Sequence, residues 1–332
     1  MIRIQYFMEV YMKRMKKISL LAFVCVVFFV LLSLGGCTKK TVQQQQDTFL
    51  VGFANNNDIW DYCAKFRRML TEETEALGIR IVTTNAGGDT NVQNGHIDDF
   101  IVQNAKVVSA ISNDFSGSAP AVEAARRANI PYVSFLASVG IGPTYDKFIY
   151  VGSQNYDAGM MQGTFAAEKL PQGAKIIYFT GQPSDQQYVD RRQGFFDGLS
   201  SRPDITILSE FNVDNRKDLG ISTAEDCLQS FEHFDAIICQ NDDSALGVVE
   251  ALKAARRLGT VMVVGLDGSD GALAAIKAGE LDMSVLQDAR AQAKAGAEVF
   301  KKIKDGVPAS EIDDVFVPFR IITRENVDEF LN

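Results

Sequence analysis

Histidine, tryptophan and cysteine are scarce in this 332-residue chain: two, one and five respectively. Two histidines, His96 and His233, leave little for imidazole metal sites or a histidine-dependent triad. Five cysteines over this length exclude a disulfide scaffold. Positive charge is short too, with 33 Lys and Arg against 42 Asp and Glu, a net charge of −9. An acidic chain is a poor partner for nucleic acid. A Gly-x-Ser-x-Gly elbow and a P-loop are both missing; Asn85-Ala86-Gly87-Gly88-Asp89 lacks the required lysine and reads as a plain loop. What is present is globular: 46% apolar and 23% charged residues, in a length that suits two domains.

One long apolar run stands out, Ile18 to Leu34, broken only by Ser19 and Ser33 and preceded by Lys13, Arg14, Lys16 and Lys17. Positive charge followed by an apolar stretch reads as a secretory signal. The basic cluster starts late, which leaves Met12 and Met15 as alternative starts. The run ends Leu34-Gly35-Gly36-Cys37, which resembles the bacterial lipobox, in which a cysteine is lipidated and becomes the new N-terminus. Residues 1–36 are therefore expected to be a signal peptide and 37–47 a flexible tether, with four consecutive glutamines (Gln43 to Gln46). The alternative is an uncleaved anchor, which gives nearly the same topology. Removing five basic residues and one acidic residue leaves 28 against 41, a net charge of −13. Such a surface is repelled by anionic lipid, so attachment rests on the lipid at Cys37. Of the cysteines that remain, Cys63, Cys227 and Cys239, no disulfide is expected.

From Phe49 onward strand-like apolar runs alternate with amphipathic stretches. The runs are Phe49–Phe53, Ile79–Val82, Val107–Ile111, Tyr132–Phe135, Phe148–Val151, Lys175–Phe179, Ile205–Leu208, Ala236–Cys239, Val261–Leu266 and Asp282–Leu286. Trp60–Leu77 and Ser244–Leu258 have helical spacing. Strands alternating with helices imply parallel sheets covered on both faces. Ten strands exceed one small sheet, so the fold class is α/β, with two open Rossmann-like sheets and a domain change near Gly152. Ligands in such sheets bind beyond the C-terminal strand ends, which places a site in the cleft between the two.

Several segments resemble the bacterial periplasmic sugar-binding proteins of the ribose-binding type. They are Cys239-Gln240-Asn241-Asp242-Asp243-Ser244-Ala245-Leu246-Gly247, Val263-Val264-Gly265-Leu266-Asp267-Gly268, Arg191-Arg192-Gln193-Gly194-Phe195, Asn155-Tyr156-Asp157-Ala158-Gly159 and Ala128-Asn129-Ile130-Pro131. Each alone is weak; five in order are specific. The resemblance implies a type I periplasmic binding fold with a three-strand hinge near Gly152, Gln287 and Val317. The N-terminal domain would be 48–152 plus 288–316, and the C-terminal domain 153–287 plus 317–332. Carried over by position, Arg191, Asn241, Asp267 and Gln287 would touch ligand. Their mixed donors and acceptors suit sugar hydroxyls, and Asp267 and Arg191 are placed to neutralise one another. At the following helix start, Asp242 or Asp243 is expected to cap while Asn241 binds. In the first domain Asn56, Trp60 and Ser112 are the candidates, Trp60 as a stacking surface for a sugar ring. The sequence departs from the pattern after the fourth strand: Phe135-Leu136-Ala137-Ser138 replaces an Asp-Arg pair, and at the crossing Gln154 replaces the more usual Asp.

The resemblance implies an extracytoplasmic, lipid-anchored, monomeric solute-binding protein that hands a sugar or sugar-like molecule to an ABC importer, with no catalytic residue, metal or cofactor. The alternative is a sensing module that presents the solute to a membrane receptor or sensor kinase. A transcription-factor effector domain would need a helix-turn-helix where the signal and tether lie. Glycoside hydrolysis needs two opposed carboxylates; opposite Asp267 and Asp242 only Asp58 or Asp114 offers one.

Overall fold

The computed structural model of the protein describes Met12 and residues 49–331. The apolar run, Cys37 and the glutamine-rich segment lie outside those residues.

The described strands form two six-stranded sheets. The first holds β1 (Leu50–Asn55), β2 (Arg80–Asn85), β3 (Val107–Ile111), β4 (Tyr132–Phe135) and β5 (Phe148–Gly152). The second holds β6 (Lys175–Thr180), β7 (Thr206–Asn212), β8 (Ala236–Cys239), β9 (Met262–Asp267) and β10 (Met283–Leu286). Two short late strands complete them. β11 (Val315–Phe316) pairs parallel with β5, and β12 (Arg320–Thr323) pairs antiparallel with β10. The orders are β11-β5-β4-β3-β1-β2 and β12-β10-β9-β8-β6-β7. Every residue of β1, β3, β4 and β8 is buried, as continuous apolar strands covered on both faces must be. β7, at the sheet edge, is only half-buried and carries Glu210 and Asn212. It runs four residues beyond the apolar stretch that marks it in the sequence.

Nine helices connect the described strands. α1 (Asp61–Ala76), α2 (Thr90–Val102) and α3 (Ala119–Ala128) follow β1, β2 and β3. α4 (Asn155–Lys169), α5 (Gln186–Leu199), α6 (Lys217–Ser230), α7 (Asp242–Ala254) and α8 (Asp270–Ala278) serve the second sheet. α9 (Ala289–Lys304) returns to pack beside α1 on the first. Side chains close several N-termini: Asp89 accepts from Asn91 and Val92, Ser269 from Ala272, and Asp288 from Ala291. One face of the first sheet buries Phe53, Phe66, Phe135 and Phe300, their rings 5.0–6.0 Å apart. In the second sheet Tyr178 stacks on Phe195 at 4.5 Å.

α4 and α5 touch backbone to backbone. A methyl placed on Gly159 would lie 1.9 Å from the Arg191 carbonyl oxygen, and one on Gly194 would lie 2.0 Å from that of Tyr156. Only glycine permits this approach, and it fixes where α5 carries Arg191.

The chain passes between the sheets three times: from Gly152 to Asn155, from Leu286 to Ala289, and from Phe316 to Arg320. These segments are tied together. The Ser153 hydroxyl donates to Val317 O at 2.6 Å, and Gln292 Nε2 donates to Ser153 Oγ at 2.7 Å.

Candidate ligand-binding site

The C-terminal strand ends of both sheets face a common cavity of about 30 Å³. It adjoins a wider crevice of about 280 Å³, and the two share Tyr62, Asp243, Asp267 and Gln287 as walls. The inner space holds about two waters. A sugar ring needs the lobes or the lining side chains to move. Contacts across the cleft hold it shut. The Trp60 indole N–H donates to Asp214 O at 3.3 Å, the Phe115 N–H to Ser184 O at 3.0 Å, and Lys65 Nζ meets Asp270 Oδ1 at 2.9 Å.

Six sequence candidates line the inner cavity: Asn56, Trp60, Arg191, Asn241, Asp267 and Gln287. Arg191 is 2% exposed and fully engaged. Its Nε donates to Asn155 Oδ1 at 3.0 Å, Nη1 to Gln240 O at 3.0 Å, and Nη2 to Gln287 Oε1 at 2.8 Å. Asn155 and Gln287 stand at the first and second inter-sheet crossings, so one guanidinium joins two of them.

Four expectations need correction. Arg191 and Asp267 do not form an ion pair, because Arg191 is taken by neutral acceptors. Burial pushes the Asp267 carboxyl well above the usual range, the Asp242 charge adds to this, and Arg191 only opposes it. Capping and cavity lining are not divided between neighbours either. Asn241 is itself the N-cap of α7, accepting from the Ser244 N–H at 3.2 Å, while its Nδ2 donates to Asn215 O at 3.0 Å. The helix accordingly starts at Asp242, earlier than Ser244, and ends at Ala254. Asp242 is buried instead beneath the site. It accepts from the Ser269 N–H and the Ser284 hydroxyl, each at 2.7 Å, and burial raises its carboxyl to about 6. Ser112 does not reach the cavity. Its hydroxyl serves its own loop, with Asp114 O at 3.1 Å and Ser118 Oγ at 2.7 Å, and Ile111 forms the wall there.

Of the three asparagines at and just beyond the end of β1, Asn55 donates to Asp58, Asn57 accepts from the Ile59 N–H, and Asn56 lines the cavity. Leu136 occupies the wall after β4. It holds a left-handed φ of +61°, and its carbonyl accepts from Tyr150 Oη and Asn155 Nδ2. A leucine there is strained by about 1 kcal/mol, which the two hydrogen bonds hold in place.

A family model for the periplasmic binding protein domain matches residues 51–307. This chain belongs to that family. It is a family of solute-binding proteins, not enzymes, and its location is extracytoplasmic. The two parallel-dominated sheets are the type I fold of these proteins. Relatives of this periplasmic binding protein include the ribose import binding protein of Bacillus subtilis, 26% identical over 258 residues, covering 78% of this chain and 82% of that one. A xylitol-binding protein of Mycolicibacterium smegmatis is 26% identical over 298 residues, covering 90% and 83%. Among solved structures, the Caulobacter myo-inositol binding protein bound to myo-inositol superposes with a TM-score of 0.80 at 27% identity, covering 85% and 95%.

Several walls of this periplasmic binding protein carry no motif. Tyr62, Tyr188 and Asn215 line the cavity outside every motif, beside Asp243 from the Cys239–Gly247 segment. Tyr188 lies one turn before Arg191 on α5, with the guanidinium 5.4 Å from its ring centre; spacing of three on a helix was the available signal. Asp214-Asn215 sits in a turn with φ of +49° and +55°, a conformation these residue types tolerate. Outside the cavity Asp185 caps α5, accepting from Gln187 N and Nε2, and burial pushes its carboxyl up to about 7. His96 and His233 take no part in the cavity lining, and the described residues contain no metal-type cluster.

Proposed function

We propose that this chain is a lipoprotein, anchored through Cys37, that captures a sugar or sugar-like polyol in its cleft and delivers it to an ABC importer. The observation that carries this reading is the convergence of Arg191, Asn241, Asp267 and Gln287 with Asn56 and Trp60 on one cavity beside the inter-sheet crossings. Relatives named for ribose, xylitol and myo-inositol support the ligand class. The lobes we assign are 48–152 plus 288–316 and 153–287 plus 317–332, working as a monomer. Ligand draws a pre-existing open–closed equilibrium toward the closed form. No bond of the ligand is made or broken, so capture needs only a polar, closable cleft.

The test is melting of the purified protein against pentoses, hexoses, acyclic polyols and cyclitols. Ligand at 100 times its Kd adds about 2.7 kcal/mol, or roughly 5–10 °C for a chain of this size. Arg191→Lys keeps the charge and loses the planar fork. It should abolish the shift while the far-UV circular dichroism stays native. If no compound raises the melting temperature, polyol capture is wrong. Mass spectrometry of the membrane-extracted protein checks the anchor: a diacylglyceryl group on Cys37 is expected, and an unmodified cysteine refutes it.

A further inference from the structure

A chain of hydrogen bonds runs inward from one wall of the cavity. Tyr62, on α1, lines both the inner cavity and the adjoining crevice. Its hydroxyl donates to Gln292 Oε1 at 2.6 Å. Gln292, on α9, donates through Nε2 to Ser153 Oγ at 2.7 Å, and the Ser153 hydroxyl donates to Val317 O at 2.6 Å. Ser153 belongs to the first inter-sheet crossing and Val317 to the third. Gln292 sits in the first turn after the second crossing, its N–H on Asp288 O at 3.0 Å. One amide side chain therefore stands between a wall of the site and the segments that join the sheets.

The chain can run in one direction only. Val317 O is a carbonyl and can only accept, so the single Ser153 hydroxyl proton is spent on it. Ser153 Oγ is left as an acceptor, which the Nε2 side of the Gln292 amide serves. Oε1 then faces Tyr62, whose hydroxyl must donate. That hydroxyl holds its proton: burial pushes it well above the ordinary tyrosine range, and the Asp267 charge adds to this. Gln292 is 0% exposed and Ser153 3%, so bulk water does not stand in for either. Removing one member leaves buried polar atoms of its neighbours unmet, which costs more than a typical bond contributes.

We propose that Gln292 is a positioning residue that ties the Tyr62 wall of the cavity to the first and third crossings, so that a shift of this wall is felt at the pivot. Arg191 does the corresponding work from the second sheet, through Asn155 and Gln287. Tyr62 and Gln292 do it from the helices packed on the first. Gln292 touches no solute itself; it acts through Tyr62 and Ser153. A solute that displaces the Tyr62 ring on entering strains the Gln292 bond, and the strain passes to Ser153 and Val317, where the lobes turn against one another.

The experiment is hydrogen exchange at the Val317 N–H of the purified protein with no solute added. That N–H donates to Gly152 O at 2.7 Å and so reports the joining of the first and third crossings. Tyr62→Phe removes only the first donor of the chain. It should speed exchange at Val317 about three- to tenfold, the factor of one net hydrogen bond. Gln292→Met keeps the side-chain length and removes both ends of the amide. It should speed exchange at least as much, and Tyr62→Phe in that background should add nothing. Tyr145→Phe is the control. Its hydroxyl donates to Ile130 O at 2.7 Å, between α3 and β4, so it loses a comparable bond in the same sheet and should leave Val317 unchanged. Melting temperatures show that the variants fold; should Gln292→Met not fold, the two tyrosine variants decide alone. If Tyr62→Phe exchanges at Val317 like the parent, the coupling is refuted. If Tyr145→Phe speeds exchange equally, the effect is general loosening and the coupling is refuted again. If the changes at 62 and 292 act additively, Gln292 is not the link. Since no solute enters the assay, polyol capture stands or falls separately.

Discussion

Gly159→Ala tests how the packing of α4 against α5 aims Arg191 from outside the cavity. The added methyl would stand 1.9 Å from Arg191 O and 2.7 Å from Phe195 N. Non-bonded atoms rest comfortably at about 3.5 Å, so the helices must part locally by about 1.5 Å. Both obstacles are backbone atoms, and no rotamer change relieves them. Overpacking of this kind costs roughly 1–3 kcal/mol. Opposing it, alanine gains about 0.5–1 kcal/mol over glycine inside a helix. The steric cost is the larger. At roughly 2–4 °C per kcal/mol the melting temperature should fall by several degrees. Gly95 is the matched control, exposed on α2 with nothing within 4 Å of an added methyl. There only the propensity gain remains, and Gly95→Ala should raise the melting temperature by about 2 °C. Calorimetric scans of the two variants decide the matter. Ligand affinity should also fall in Gly159→Ala alone, by up to about 100-fold, because the displaced atom belongs to Arg191. If Gly159→Ala melts as high as Gly95→Ala and binds like the parent, the account of this helix pair is wrong.

Other consequences can be checked more simply. Trp60 is the only tryptophan and its indole N–H bridges the cleft, so ligand titration should change its emission; an unchanged spectrum at saturation would remove it from the wall. Burial raises Asp185 from an ordinary carboxylate value to about 7. Its folded pKa exceeds the unfolded one, so the stability it contributes is full below pH 4 and lost as pH rises toward 7. Asp185→Asn keeps a cap acceptor and should flatten the melting temperature between those limits; an unaltered pH profile refutes the assignment. Cys63, Cys227 and Cys239 are unpaired and buried, and burial raises Cys227 to about 11 and the other two further. A thiol reagent should leave Cys227 and Cys239 unlabelled until the protein unfolds, and rapid labelling of either in the native protein would contradict its burial; Cys63 lines the cleft cavity and becomes accessible when the cleft opens.

The alternation of strands and helices is written in the sequence because both faces of each sheet are covered. A strand such as Val107–Ile111 must then be apolar throughout. β7 is read only in part, since an edge strand needs apolar residues on one side and its far half carries Glu210 and Asn212. The start of α7 is misread for another reason. An asparagine satisfies a helix N-terminus through Oδ1 and still turns toward a cavity, so the two roles do not exclude each other. In the site, residues at strand ends or in motifs, such as Arg191 and Asp267, stand out in the sequence. Asn215 does not, because its place depends on a turn that meets Trp60 across 154 positions of chain, at Asp214. Ser112 shows the converse: a polar residue at a strand end whose hydroxyl is needed by its own loop.

Arg191 grips Asn155 on one crossing and Gln287 on another while forming part of the cavity wall. A residue with both duties makes recognition and pivot stiffness a single variable. Anyone retargeting this scaffold by randomising position 191 would select proteins that swing differently as readily as proteins that recognise something new. The side chains of Leu136 and Asn215 face the same cavity without fastening the crossings. They are the positions at which specificity can drift, by design or by descent, while the pivot stays as it is.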